Sequence, residues 1–186
     1  HILADLFDIT DEKWKNAVEG RLARLKKSMI TEPAYALDAA KIFRKMKRFE
    51  EADLINSAAI KRESPAAEKN SLYEAVHTDL DYVDWCLKRY LGRIRKCETV
   101  EELDSVRDGV TPDCYSYSNY IFRHLRSKDY TKGACIGTRI SKARLRELAD
   151  EIESLQENLI GERQREAALK DAQKYETLSQ ETGQIL

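Results

Sequence analysis

The chain has 186 residues, 35% of them charged, and a formal net charge of -1. That length suits one sizeable domain plus a solvated extension, and near-neutrality excludes a global field for nucleic acid, so any such contact needs a local patch. No apolar stretch approaches the roughly 20 residues that span a bilayer and no signal-peptide pattern is present, which sets the expectation of a cytoplasmic protein with no membrane partner.

Residues 2–9 mix apolar and acidic side chains and predict a strand. Thr10 or Asp11 then caps a helix carrying Trp14, Ala17, Val18 and Leu22 at helical spacing, with Gly20 near its expected end. A strand is expected around residues 28–31. Pro33 opens a second helix that would turn Ala36, Leu37, Ala40, Ile42 and Phe43 inward. Asp53-Leu54-Ile55 reads as a short strand and residues 62–70 as an exposed loop. Asp79 begins a clear helix with Tyr82, Val83, Cys86, Leu87, Tyr90 and Leu91 on one face. Residues 93–97 alternate like a strand, and Thr99 with Glu102 forms a capping box for a helix to about Arg107. Residues 114–122 are aromatic and suit strands, and residues 133–137 form a small-residue strand or turn. Val18-Glu19-Gly20-Arg21-Leu22 and Tyr90-Leu91-Gly92-Arg93-Ile94 each end a helix before a strand, a loose internal duplication.

From about Ser141 the pattern changes. Leu145, Leu148, Ile152, Leu155 and Leu159 follow 3-4-3-4 spacing, the seam of a coiled coil. A helix reaching about Gln180 would extend roughly 60 Å. So long and polar a helix wants a partner helix, expected from another chain or from sequence preceding residue 1.

Little catalytic chemistry is visible. G-x-x-x-x-G-K-[ST] does not occur, and His1, His77 and His124 stand apart. Cys86, Cys97, Cys114 and Cys135 lack metal-ligand spacing and read as reduced thiols. Neither an enzyme site, a metal nor a cofactor is expected in these residues. Four basic clusters stand out: Arg21, Arg24, Lys26 and Lys27 at the end of the first helix and after it; Arg44, Lys45, Lys47 and Arg48; Arg93, Arg95 and Lys96; and Arg123, Arg126 and Lys128. Each is either a solvated face of an α/β core or a phosphate-contact surface holding DNA without sequence preference. Tyr115, Tyr117 and Asn119 alternate with Ser116, Ser118 and Tyr120, which gives a strand with two unlike faces. That strand is either core plus rim or an edge that pairs with a second copy.

Residues 9–22, with an acidic strand before a helix ending in Ala17-Val18-Glu19-Gly20-Arg21-Leu22, resemble the opening of SMC hinge domains. Residues 87–94 followed by 97–103 resemble the second half, where Leu91-Gly92-Arg93 turns into a strand and then a short, acid-started helix. Within that family Asp11-Glu12-Lys13-Trp14, Asn16 to Gly20, Thr111-Pro112-Asp113-Cys114 and Asn119-Tyr120 look like the MukB-like SMC subunits of bacterial Wadjet anti-plasmid systems. The resemblance implies a mixed α/β (α+β) hinge of two pseudo-repeated halves over residues 1–138 and the start of a coiled-coil arm over 139–186. It implies a homodimer through the hinge, an incoming arm helix preceding residue 1, and double-stranded DNA as a further partner near the nucleoid. The dimer contact is expected late in the domain, at Tyr115, Tyr117, Asn119, Tyr120, Gly133, Cys135 and Gly137. The glycine-rich stretch of ordinary hinges is reduced here to Gly133 and Gly137. ATP and Mg would belong to ATPase heads at the far ends of the arms. In the Wadjet branch the whole complex would cleave closed circular DNA, using another subunit to cut. The rival expectation is a coiled-coil scaffold or adaptor whose α/β head binds a protein partner.

Overall fold

A computed structural model describes the backbone of residues 1–49, 51–137 and 142–183, and the side chains of 1–48, 51–137 and 151–173. The chain divides into two compact units, His1–Thr138 and Arg139–Leu186.

In the first unit the opening apolar run is not one strand. Leu3–Asp5 coils into a 3-10 turn, and only Asp8–Ile9 (β1) extends. Leu3 and Ala4 are adjacent and both buried, which a strand with one wet face cannot achieve. β1 pairs antiparallel with Val76–His77 (β2), Ile9 opposite Val76. The strands expected at 28–31 and 53–55 shrink to single bridges from Met29, antiparallel to Ile2 and parallel to Leu54.

Asp11 caps the next turn, its side chain accepting from Lys13 N–H at 3.1 Å, and helix α1 follows over Lys15–Leu22. Gly20 does not end it. The helix continues to Leu22 and leaves through Ala23 at φ 43°. Gly20 instead admits a neighbour, because a Cβ there would lie 2.8 Å from Leu125 Cδ1. Gly92, its counterpart in the loose duplication, does follow a helix, so the two glycines are not structurally equivalent.

Helix α2 (Ala36–Lys45) corrects the expected inward face: Ala36 is buried, but Leu37 and Ile42 are 68% and 61% exposed. At 100° per residue, Leu37 and Ile42 fall about 90° or more to either side of the Ala36, Ala39 and Phe43 face. Helix α3 (Ser57–Glu63) is capped by Asn56, whose side chain accepts from Ala59 N–H at 3.0 Å. It packs on α4 (Asp81–Leu91). In α4 the predicted face is buried at Val83, Cys86, Leu87 and Leu91, while Tyr82 and Tyr90 lie at the rim. Asp81 and Asp84 near its start and Lys88 and Arg89 near its end complement the helix dipole.

The second sheet has the order β3-β4-β5-β6, from Arg95–Lys96, Asp108–Val110, Tyr115–Ser118 and Ile121–His124. β3 and β4 run parallel and the other pairs antiparallel. The crossover between β3 and β4 holds α5 (Val100–Asp104), capped as expected by Thr99, which accepts from Glu102 N–H, and by Glu102, which accepts from Glu98 N–H at 2.7 Å. It stops short of Arg107 because Asp108 must already be extended in β4. A last short helix, α6 (Ser127–Tyr130), packs on α1. One apolar core joins Leu3, Phe7, Trp14 and Val18 to Leu72, Val83, Leu91, Ile94, Val110 and Ile136. Its burial is the main stabilising term of the unit.

The second unit is one helix, α7 (Lys142–Gly183), about 63 Å long at 1.5 Å per residue. Of the expected seam, Ile152, Leu155 and Leu159 are 56%, 61% and 52% exposed; the side chains of Leu145 and Leu148 lie outside the described residues. Among those residues, no helix is long and apolar enough to cross a membrane.

Candidate dimer edge and arginine cleft

The hairpin of β5 and β6 turns through only Asn119 and Tyr120, at φ 50° and 63°. Such two-residue turns need positive φ at both positions and favour Asn-Gly. Tyrosine at the second position is therefore strained, and Tyr120 is 93% exposed. The turn folds β6 over the outer edge of β5. Tyr115 and Tyr117 thus lie on an interior strand, which corrects the expectation that this tyrosine series is the free edge. Among the described residues β6 is the edge on this side of the sheet with no strand paired to it. Leu125 N–H donates to Cys114 O at 2.9 Å, and alternation then turns the N–H and C=O of Phe122 and His124 outward. Ile121 and Phe122 are 53% and 38% exposed.

The two faces of the hairpin differ as the alternation predicted. Tyr117 and Phe122 rings lie 4.5 Å apart, Tyr115 and His124 4.7 Å, and Tyr115 stacks on Phe122 at 5.9 Å. Ser116, on the other face, is fully buried and donates its hydroxyl to Arg123 O at 3.2 Å.

Gly133, Cys135 and Gly137 belong to a different place, a segment tied to α1 and β1. Cys135 and Ile136 N–H both donate to Glu19 Oε1, at 2.9 and 2.8 Å, and a Cβ on Gly137 would come 3.3 Å from Asp8 Oδ1. Glu19 Oε2 lies 2.6 Å from Lys26 Nζ, both side chains 1% exposed, an ion pair without hydrogen-bond alignment. Lys26 Nζ donates to the backbone oxygens of Glu19, at 3.2 Å, and of Asp129. Lys26 is therefore withdrawn from the expected DNA-contact set: a sealed ammonium with these partners cannot reach a phosphate.

The remaining basic residues divide by partner. Arg24 pairs with Asp53 at 2.8 Å, and Lys96 with Glu74 at 3.0 Å while lying 5.9 Å from the Trp14 ring. Glu74 is held below the usual carboxylate range, first by its hydrogen bond to Lys96 and then by Asn70 N–H. Lys27, Arg123, Arg126 and Lys128 are exposed. Arg93 and Arg95 meet Arg21, from the cluster at the end of the first helix, and Arg107, which no local cluster of the sequence included. All four line an open cleft of about 710 Å³ with Glu68, Asp108, Ser118 and Asn119. Four guanidinium groups against two carboxylates leave a formal +2 there. Arg21 Nη2 donates to both oxygens of Asp108 at 2.9 Å. Arg95 donates to Lys69 O at 3.0 Å. Arg93 and Arg107 have no ion-pair or hydrogen-bond partner among the described residues. Burial raises the Asp108 carboxyl above its ordinary range, an effect that Arg21 and Arg123 partly offset. A second hollow, of about 420 Å³, shares Arg107 and Asn119 with the cleft and adds Val106, Tyr117 and Tyr120.

Cys86, Cys97 and Cys114 are buried free thiols and Cys135 is half-buried. Among the described residues no group of His, Cys, Asp and Glu could hold a metal ion.

Two small sheets around one core and a long helix as a second unit define the fold as that of SMC hinge domains with an extended coiled-coil arm. Solved structures carry this assignment. The chain is similar to the Pyrococcus furiosus SMC protein hinge domain, with TM-score 0.54 and 17% identity over 76% of this chain and 79% of that one. It is similar to the Pyrococcus furiosus Smc hinge domain with an extended coiled coil (0.56, 21%, 87% of this chain and 57% of that one). An asymmetric dimer of the Geobacillus stearothermophilus SMC hinge domain also matches (0.50, 15%, 89% and 74%). At these identities the likeness is one of fold. No protein-family model and no curated protein matches the chain.

Proposed function

We propose that this chain is the dimerisation hinge of an SMC-like ATPase, joining two coiled-coil arms through its globular unit and performing no catalysis itself. The observation that carries the reading is an edge strand, β6, unpaired on its outer side among the described residues and with Ile121 and Phe122 exposed, on a hinge fold whose solved counterparts include a dimer. Edge strands with outward N–H and C=O groups are templates for pairing with another chain. In this reading main-chain bonds at Phe122 and His124 supply register, and the aromatic face beside them supplies burial. The exposed seam of α7 takes an antiparallel incoming arm helix. DNA as the polymer acted upon is supported by the exposed basic residues Lys27, Arg123, Arg126 and Lys128 and by the arginine cleft. The narrower placement, a MukB-like subunit of plasmid defence with ATP and Mg at distant heads, rests on the sequence resemblance in residues 11–20 and 111–120.

The test is solution mass by light scattering behind a sizing column, on the full chain across a hundredfold concentration range. A dimer is expected that Ile121→Lys with Phe122→Lys converts to monomer and that Leu155→Asp with Leu159→Asp leaves intact. A monomer throughout, or a dimer lost only with the arm substitutions, refutes the hinge and leaves the scaffold reading.

A further inference from the structure

Helix α2 leaves much of its apolar surface uncovered. Leu37 and Ile42 are exposed, and Leu37 lines a hollow of about 290 Å³ between α2 and α3 together with Pro33, Ala40, Leu54, Ala58 and Arg62. We propose that this groove is a docking site for an acidic amphipathic helix of a partner protein, an apolar side chain seated between α2 and α3 and carboxylates on the arginines at its rim. The groove shares no residue with β6 or the arginine cleft, so the inference does not rest on the hinge reading.

Three observations point to this occupant. The first is shape. Small side chains, Ala40 and Ala58, line the hollow and leave its volume to an apolar side chain from outside. A helix brings such an anchor with its own backbone already hydrogen-bonded, the usual way of filling a groove between helices. The second is charge. At 100° per residue Leu37, Ala40 and Arg44 fall within about 60° of one another, so Arg44 lies one turn beyond Ala40 on the groove's flank of α2. Arg44 and Arg62 are exposed and have no ion-pair or hydrogen-bond partner among the described residues, whereas Lys41 pairs with Asp38 at 2.8 Å. Residues 33–48 carry five basic side chains against one acidic. Carboxylates beside the apolar anchor answer both arginines, and a basic partner is repelled. The third is the distribution of apolar residues around α2. Leu37 and Ile42 lie about 140° apart, with Asp38, Lys41 and Lys45 between them. They do not make the single broad apolar face with which a basic amphipathic helix lies on a bilayer, which favours a protein over an anionic lipid surface.

The experiment is fluorescence anisotropy with the full chain at low salt and two labelled synthetic helical peptides of roughly 18 residues. One carries leucines along one face and glutamates on the other; the second has lysines in place of the glutamates. The glutamate peptide is expected to bind and the lysine peptide to stay free. Ala40→Trp fills the groove from an exposed position and should weaken binding about tenfold or more. Arg44→Glu with Arg62→Glu should weaken the glutamate peptide about tenfold and bring the lysine peptide into binding, a gain that a misfolded variant would not show. Equal affinity of the wild type for both peptides, or no binding of either, overturns the inference. Binding that Ala40→Trp leaves at wild-type strength places the peptide elsewhere and overturns it as well. Sedimentation of the chain with phosphatidylglycerol vesicles, without binding of the glutamate peptide, overturns it in favour of a lipid surface.

Discussion

Replacing Glu19 should reveal how far one buried carboxylate organises the domain. Its Oε2 faces the Lys26 ammonium at 2.6 Å, both side chains 1% exposed, and its Oε1 accepts from two backbone N–H groups. Removing one member of a buried pair costs about 3–5 kcal/mol, since the other charge stays sealed without compensation. Glu19→Gln keeps an amide oxygen for Cys135 and Ile136 but loses the charge, so a loss near 3 kcal/mol is expected. Glu19→Ala also strands both N–H groups, each worth about 1–3 kcal/mol, and should approach or exceed 5 kcal/mol, most of a typical stability margin. Lys26→Met resembles Glu19→Gln. Glu19→Gln with Lys26→Met removes both charges and should recover to within about 2 kcal/mol of wild type. The assay is urea unfolding followed by the buried Trp14 fluorescence, because α7 would dominate a helical signal. Amide exchange at Cys135 and Ile136 separates the roles: protection is kept in Glu19→Gln and Lys26→Met and lost in Glu19→Ala. Equal losses for Ala and Gln at position 19, or a double variant no better than the singles, would refute the reasoning.

Other consequences are simpler to check. Tyr120→Gly should raise stability by about 0.5–1 kcal/mol by relieving a positive φ; a loss in urea unfolding would contradict the strain argument. Burial pushes the Cys86 thiol up to about 12, which leaves roughly one thiolate in ten thousand at pH 8. N-ethylmaleimide followed by mass spectrometry should therefore find Cys86 unmodified in the native protein, half-buried Cys135 modified first, and all four thiols modified in urea. Asp108 titrates above its unfolded value because burial disfavours its charge. Its contribution is therefore fully present below the ordinary Asp value of about 4 and declines as pH rises through the raised folded value. The stability of wild type relative to Asp108→Asn should fall with pH across that window, and urea unfolding from pH 4 to 7 that shows a rise would contradict the sign.

What could be read from the sequence follows from how local each signal is. The α4 face and the Thr99–Glu102 cap depend on spacing within a few residues, and both were legible. Strands of two to four residues carry too little alternation to locate, which is why residues 2–9 misled: Leu3 and Ala4 are buried side by side. Leu37 and Ile42 look inward by composition, yet the inward side of the helix is that of buried Ala36, with Ala39 and Phe43 half-buried. Lys26 sits in a basic run that reads as surface. Its partner Glu19 lies across the end of α1, where no periodicity joins them, although Glu19 within an apolar helical arc was a signal. The edge strand was assigned one strand early, since Asn119-Tyr120 lacks the glycine that marks a two-residue turn. The cleft was half legible: Arg93 and Arg95 are neighbours, but Arg107 reaches them only through parallel pairing of β3 with β4, a contact that sequence spacing does not encode.

The tie between Glu19 and the Cys135–Ile136 backbone has a mechanical meaning. A pull arriving along the chain from its C-terminal side meets those two hydrogen bonds and the buried Ile136 before it can reach the β5–β6 hairpin. Tension is thereby grounded in α1 and the first part of the core, and the open edge of β6 is spared the direct load. A joint formed at that edge would be sheltered from traction on the arm and would yield only after the anchor at α1 had slipped.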